Sequence, residues 1–239
     1  MRDDFEQIPF GGALPGEDRM PFGDVEFADN SEPRCACMLV LDTSGSMEGE
    51  PIAQLNKGLE QFAQELREDR LAAKRADICV ITFGDTVNVV AEFGSAQNFY
   101  PQPLRAHGGT PMGEAINCAI DLVLGQQARY RANGIMPYRP WIFMLTDGTP
   151  TDDVSRAARR VREAHERKSF SFFAVGVDQA DMSTLAAISV NAPLKLRGLA
   201  FSDLFRWLSS SLSAVSRSSV GGKVLLANPT GPDGWAEID

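Results

Sequence analysis

Short, continuous apolar runs alternate along this chain with longer stretches in which apolar residues recur at helical spacing. The runs at 35–41, 141–145 and 170–177 read as strands covered on both faces of a parallel sheet. Two β-rich runs, 77–83 and 87–93, are joined by a short turn at Gly84-Asp85 and predict a hairpin, its second strand an antiparallel sheet edge. After the first strand, Pro51 opens a helix whose Ile52, Leu55, Leu59, Phe62 and Leu66 follow the 3.6-residue period. A second helix carries Met112, Ala115, Ile116, Ala119, Ile120 and Val123 and runs to about Arg131. In a third, Val154, Ala157, Ala158, Val161 and Ala164 face inward, and Arg156, Arg159, Arg160, Arg162, Arg167 and Lys168 surround them. Thr151 is placed to cap it, with Asp152 and Asp153 at the positive end of its dipole. A short helix at 181–188, a last short strand at 193–197 and a closing helix at 202–219 complete the pattern.

Strands alternating with helices give an α/β fold: a mostly parallel central sheet with one antiparallel edge strand and helices on both faces. In such open sheets ligands bind beyond the carboxyl ends of strands, where the strand order reverses. The ordered pattern spans residues 34–220. Residues 1–33, with Gly, Pro, acids and Phe5, Phe10, Phe22 and Phe27 but no period, predict an extended arm that either solvates itself or docks. Residues 221–239 read as a loose C-terminal tail.

The 239 residues, 44% of them apolar, suffice for one sizeable core. The net charge of −9 sits at the ends. Residues 1–33 hold nine acids against Arg2 and Arg19, whereas 34–220 hold 20 charges of each sign. A neutral body offers no field for nucleic acid, whose affinity rests on neutralising phosphates. No apolar run approaches the ~18 residues that cross a bilayer. The acidic start MRDDFEQIPF lacks the apolar core of a secretory signal, so a cytoplasmic location and no membrane partner are expected. Cys35, Cys37, Cys79 and Cys118 fall at apolar positions and read as buried thiols. With His107 and His165 the only histidines and no Cys-x-x-Cys pair, a zinc quartet is not expected.

The chemistry concentrates at strand ends. Asp42, Ser44 and Ser46 follow the first strand at alternate positions, with Gly45 allowing a sharp turn. These hard oxygens suit a cation such as Mg²⁺, which takes about six oxygens at roughly 2.0–2.1 Å. Thr110, in HGGTPMGEAI at the end of the aperiodic stretch 94–109, and Asp147, in WIFMLTDGTPTDD after its own strand, can add to the shell.

Asp-x-Ser-x-Ser, the Gly-Gly-Thr-Pro loop and the strand-terminal Thr-Asp-Gly together resemble the metal-ion-dependent adhesion site, MIDAS, of von Willebrand factor A (VWA) domains. The resemblance implies a Rossmann-like VWA fold over roughly 34–220 and a metal held by Asp42, Ser44, Ser46, Thr110 and Asp147: Mg²⁺, with Mn²⁺ or Ca²⁺ as alternatives. It also implies neutral hydroxyl ligands, which leave the cation under-neutralised and attractive to an Asp or Glu of a protein partner. DTSGSMEGEPI, TPMGEAI, LTDGTPTDD and SFFAVGV look most like stand-alone bacterial proteins of the TerY and YegL type. That likeness suggests a non-enzymatic adaptor in a tellurite-resistance-like stress or phospho-signalling system, with a protein kinase or metal-dependent phosphatase as partner. Two other classes stand beside it. DGT at 147–149 resembles the aspartyl loop of Mg²⁺-dependent phosphohydrolases, but Leu145 stands where their nucleophile is required. A surface adhesin, as in extracellular members of the family, would need an export signal and paired cysteines.

Overall fold

The structure is a computed structural model that describes Phe27, residues 30–232 and residues 234–237. Its centre is a seven-stranded sheet in the order β3-β2-β1-β4-β5-β6-β7. The strands are β1 (Cys35–Asp42), β2 (Ala76–Phe83), β3 (Val87–Ser95), β4 (Trp141–Thr146), β5 (Ser171–Gly176), β6 (Leu194–Leu196) and β7 (Ala236–Glu237). The helices are α1 (Glu50–Glu68), the single turn α2 (Ala72–Arg75), α3 (Met112–Ala132), α4 (Ser155–Glu166), α5 (Met182–Ile188) and α6 (Phe201–Ser216).

Every residue of β1 and β2 is buried, which is why they carry continuous apolar runs. Alternate side chains of β1 go to opposite layers. Cys35, Cys37, Leu39 and Leu41 pack with α1 and α6, while Met38 and Val40 pack with α3, α4 and α5. The α/β expectation is met: β1 pairs parallel with β2 and β4, and β4 with β5. The hairpin is also present, with β3 antiparallel to β2 at the sheet edge. Burial pushes the Cys35 and Cys79 thiols up to about 12, as inert core residues.

The two ends of the chain differ from simple tails. Phe27 is buried, 5.7 Å edge-on to Tyr130, with the guanidinium groups of Arg34 and Arg129 over its ring at 5.6 and 5.2 Å. Arg34 is itself buried against Asp77, whose second oxygen accepts from the Tyr130 hydroxyl at 2.6 Å. Residues 1–26 of the predicted arm, with Phe5, Phe10 and Phe22, lie outside the described residues. The C-terminal stretch is not loose: Trp235 and Ala236 are buried, and β7 adds a second antiparallel pair, at the β6 edge. Arg197 binds the carbonyls of Gly231, Pro232 and Gly234, and the Trp207 indole donates to Ala227 O at 2.7 Å. Apolar burial of one indole outweighs the turn-rich composition from which a tail was read.

Candidate functional site

The strand order turns back on itself between β1 and β4, so Asp42 and Asp147 emerge side by side from adjacent parallel strands. Leu41 pairs with Leu145, which sets Asp42 abreast of Thr146. Asp42 is fully buried. Its Oδ1 accepts from Ser44 N at 2.7 Å and its Oδ2 from the Thr146 hydroxyl at 2.5 Å. Ser44 Oγ lies 2.9 Å from Ser46 Oγ, and Ser46 Oγ donates to Asp147 Oδ1 at 2.7 Å. Three side chains from two loops about a hundred residues apart thus share one chain of oxygens, and Asp42 joins it through Ser44 N.

Thr110 comes from the third loop. A Cβ added to Gly148 would meet Thr110 Oγ1 at 3.1 Å and Asp42 Oδ2 at 3.8 Å, so this glycine lets the Thr110 hydroxyl come down beside Asp42. Thr110 is nearly buried and held from above: its N–H donates to Thr151 Oγ1 at 3.2 Å, and Thr151 N donates to Thr110 O at 2.9 Å. All five residues picked from sequence therefore gather at one strand-end cluster. The third loop is stitched to the first through its backbone, His107 N to Thr43 O at 2.7 Å and Gly45 N to Gly108 O at 2.9 Å. Gly108 has φ +78° and lies so close to Asp85 that any side chain there would collide with its carboxylate. The His107 ring is exposed and points to Arg105 O and Asp85; its backbone is what serves the site.

The acids after β4 do other work than expected. Thr151 braces Thr110 rather than capping α4, which starts only at Ser155. Asp152 reaches across to α3, accepting from Gly113 N at 2.9 Å and Glu114 N at 2.8 Å. The α3 terminus has no capping side chain of its own, so its free N–H groups recruit this carboxylate. Only Asp153 serves α4, accepting from Ser155 N. Sequence reading also missed Thr146. Aligning the two apolar runs by their ends would have placed it against Asp42.

Burial raises the Asp42 carboxyl above its ordinary range, against hydrogen bonds from Ser44 and Thr146 that pull it down; nearby Asp147 adds to the rise. Burial likewise raises Asp147, with Asp178 contributing and Ser46 opposing. Two carboxylates held close in a half-dry site favour a cation between them. The donor set, two carboxylates and three hydroxyls, suits a hard ion. Its oxygen–oxygen separations of 2.9 and 2.7 Å also fit. Adjacent ligands in an octahedron with bonds of roughly 2.0–2.1 Å lie about 2.9 Å apart. Among the described residues there is no group of three or more His, Cys, Asp or Glu that could hold a metal; the cluster's further oxygens are the hydroxyls of Ser44, Ser46 and Thr110.

Residues 37–202 match the family model described as the von Willebrand factor type A domain. Inter-alpha-trypsin inhibitor heavy chain H4 of Sus scrofa is 30% identical over 150 residues, which is 58% of this chain and 15% of that protein. Among solved structures, the pilus adhesin SpaC of Lactobacillus rhamnosus GG in its open conformation superposes with a TM-score of 0.61. It shares 15% identity, over 78% of this chain and 31% of that one. The ArnB paralog VWA2 of Sulfolobus acidocaldarius gives 0.52 at 15% identity, over 76% and 45%. This chain thus spans less than half the length of each of these relatives. The likenesses to solved structures speak for the fold alone.

Proposed function

This chain belongs to the von Willebrand factor type A domain family, and we propose from that premise that it is a non-enzymatic, metal-dependent protein-binding module. The observation that carries the reading is the unbroken run of oxygens from Ser44 through Ser46 to Asp147, with Asp42 and the Thr110 hydroxyl beside it. Ser44, Ser46 and Thr110 supply neutral oxygens, and Asp42 and Asp147 supply the charge. Mg²⁺ fits this set best, with Mn²⁺ or Ca²⁺ as substitutes; once bound it would offer an open position to a partner's Asp or Glu.

The protein's own part is to hold the donors still. Asp42 is pinned by Ser44 N and Thr146, Thr110 by Thr151, and the third loop by the Thr43 and Gly45 backbones. Rigid donors lower the ordering cost of binding. Hydrolysis is not favoured: the position a phosphohydrolase needs for its nucleophile is Leu145, a core residue 1% exposed. We assign the module to an adaptor role in a cytoplasmic stress or phospho-signalling system of tellurite-resistance type, a kinase or metal-dependent phosphatase being its partner. Among the described residues no helix is long and apolar enough to cross a membrane.

Mg²⁺-dependent capture from lysate, comparing the wild-type chain with Asp42→Ala, tests this. The partner should be retained with Mg²⁺ and lost with EDTA or with the variant. Capture indifferent to both treatments would reject a metal-bridged contact.

A further inference from the structure

A cavity lies at the end of the sheet opposite the Asp42–Asp147 cluster, where the chain enters β4 and β5. It encloses about 470 Å³, within the span of roughly 300–1,000 Å³ usual for small-molecule sites. Trp141 and Phe173 form its floor, edge to face at 6.0 Å, and Val224 and Leu226 of the C-terminal stretch close one side. Two exposed cations, Arg139 and Lys168, are among its lining residues, and among the described residues no Asp or Glu lines it. One guanidinium nitrogen of Arg139 donates to Phe170 O at 2.7 Å, which fixes the group in place. Neither cation pairs with a carboxylate among the described residues, in a chain whose net charge is −9.

The backbone at Lys168 is the second observation. Lys168 ends α4 with φ +53°, and Ser169 N reaches back to Ala164 O at 2.9 Å. This helix ending calls for a left-handed residue and is ordinarily filled by glycine. A lysine there is strained, and strain of this kind collects where a side chain has a task beyond the fold. Lys168 is also one of the residues that line the aromatic cavity.

We infer that this cavity binds a small aromatic carboxylate, its ring against Trp141 and Phe173 and its carboxylate between Arg139 and Lys168. The site is separate from the Asp42–Asp147 cluster and does not rest on the metal-site reading. An aromatic floor selects a flat apolar body. The fixed guanidinium and the lysine beside it select one terminal anion.

The test titrates 3-phenylpropionate into the full chain by calorimetry, with 3-phenylpropionamide as the neutral isostere and acetate as the charge without the ring. The carboxylate should bind at least about tenfold more tightly than either comparator, the span of one charge-assisted hydrogen bond. Arg139→Gln and Lys168→Gly should each weaken it about five- to tenfold by the same reasoning. Lys168→Gly should also raise the melting temperature by relieving the left-handed strain, so its loss of affinity would not reflect unfolding. Equal binding of acid and amide, no saturable binding of the acid, or unchanged affinity in both variants would overturn the assignment.

Discussion

At the scale of single residues, the site depends on how closely its oxygens approach one another. Gly148 is the clearest case, because a methyl group there would press on the Thr110 hydroxyl at 3.1 Å. Gly148→Ala should displace Thr110 and weaken metal binding, with little change in melting temperature because the position lies outside the core; calorimetry beside thermal melting would check both. The five residues of the cluster were legible in sequence because each stands at a fixed offset from an apolar run or a glycine pair. Thr146 was not, because its partner Asp42 is defined only by the β1–β4 register. The bracing by Thr151 was hidden likewise: a threonine before acids has the same local signature whether it caps the next helix or supports another loop.

At the scale of elements, loops are secured by carboxylates from elsewhere in the chain. Asp152 caps α3 from the loop after β4, coupling the Thr110 loop to the Asp147 loop. Asp152→Ala should cost about 1 kcal/mol in chemical denaturation, the usual loss for a cap, and should lower metal affinity through Thr110. Asp69 gives a pH dependence. Burial raises its carboxyl, but hydrogen bonds from Ala72 N, Ser213, Arg217 and Leu71 N outweigh that and bring it from 3.8 to about 2. A depressed folded value means its contribution is complete above pH 3.8 and is lost as pH falls toward about 2. Asp69→Ala should therefore be about 1–2 kcal/mol less stable at neutral pH and converge with wild type at the acid end of that window. Equal acid-unfolding curves throughout would contradict it. The helices and strands were legible because burial on one or two faces writes a period into the sequence. The α4 start was not, since Thr151, Asp152 and Asp153 all carry cap chemistry and only Asp153 uses it locally.

At the scale of the whole molecule, the sheet's two ends carry different chemistry. The carboxyl ends of β1 and β4 gather oxygens around Asp42 and Asp147, and the opposite end carries Phe27, the buried Arg34–Asp77–Tyr130 cluster and the aromatic cavity. The alternation of elements was enough to read the fold, but not the return of the C-terminal stretch. A single buried Trp235 anchors that return, and no period marks it. Trp235→Ala should cost about 3–5 kcal/mol, visible as a lowered melting temperature, because a large buried side chain leaves a cavity. A change of less than about 1 kcal/mol would mean the stretch is not part of the core.

The central claim is that five side chains from three loops hold one hard cation. Isothermal titration of Mg²⁺ into the full chain, repeated with Asp147→Asn, tests it most directly. One ion per chain should bind to the wild type, and the variant should lose at least the about 10–100-fold that removing even an outer-shell partner costs. No saturable binding to the wild type, or the same affinity in the variant, would contradict the account.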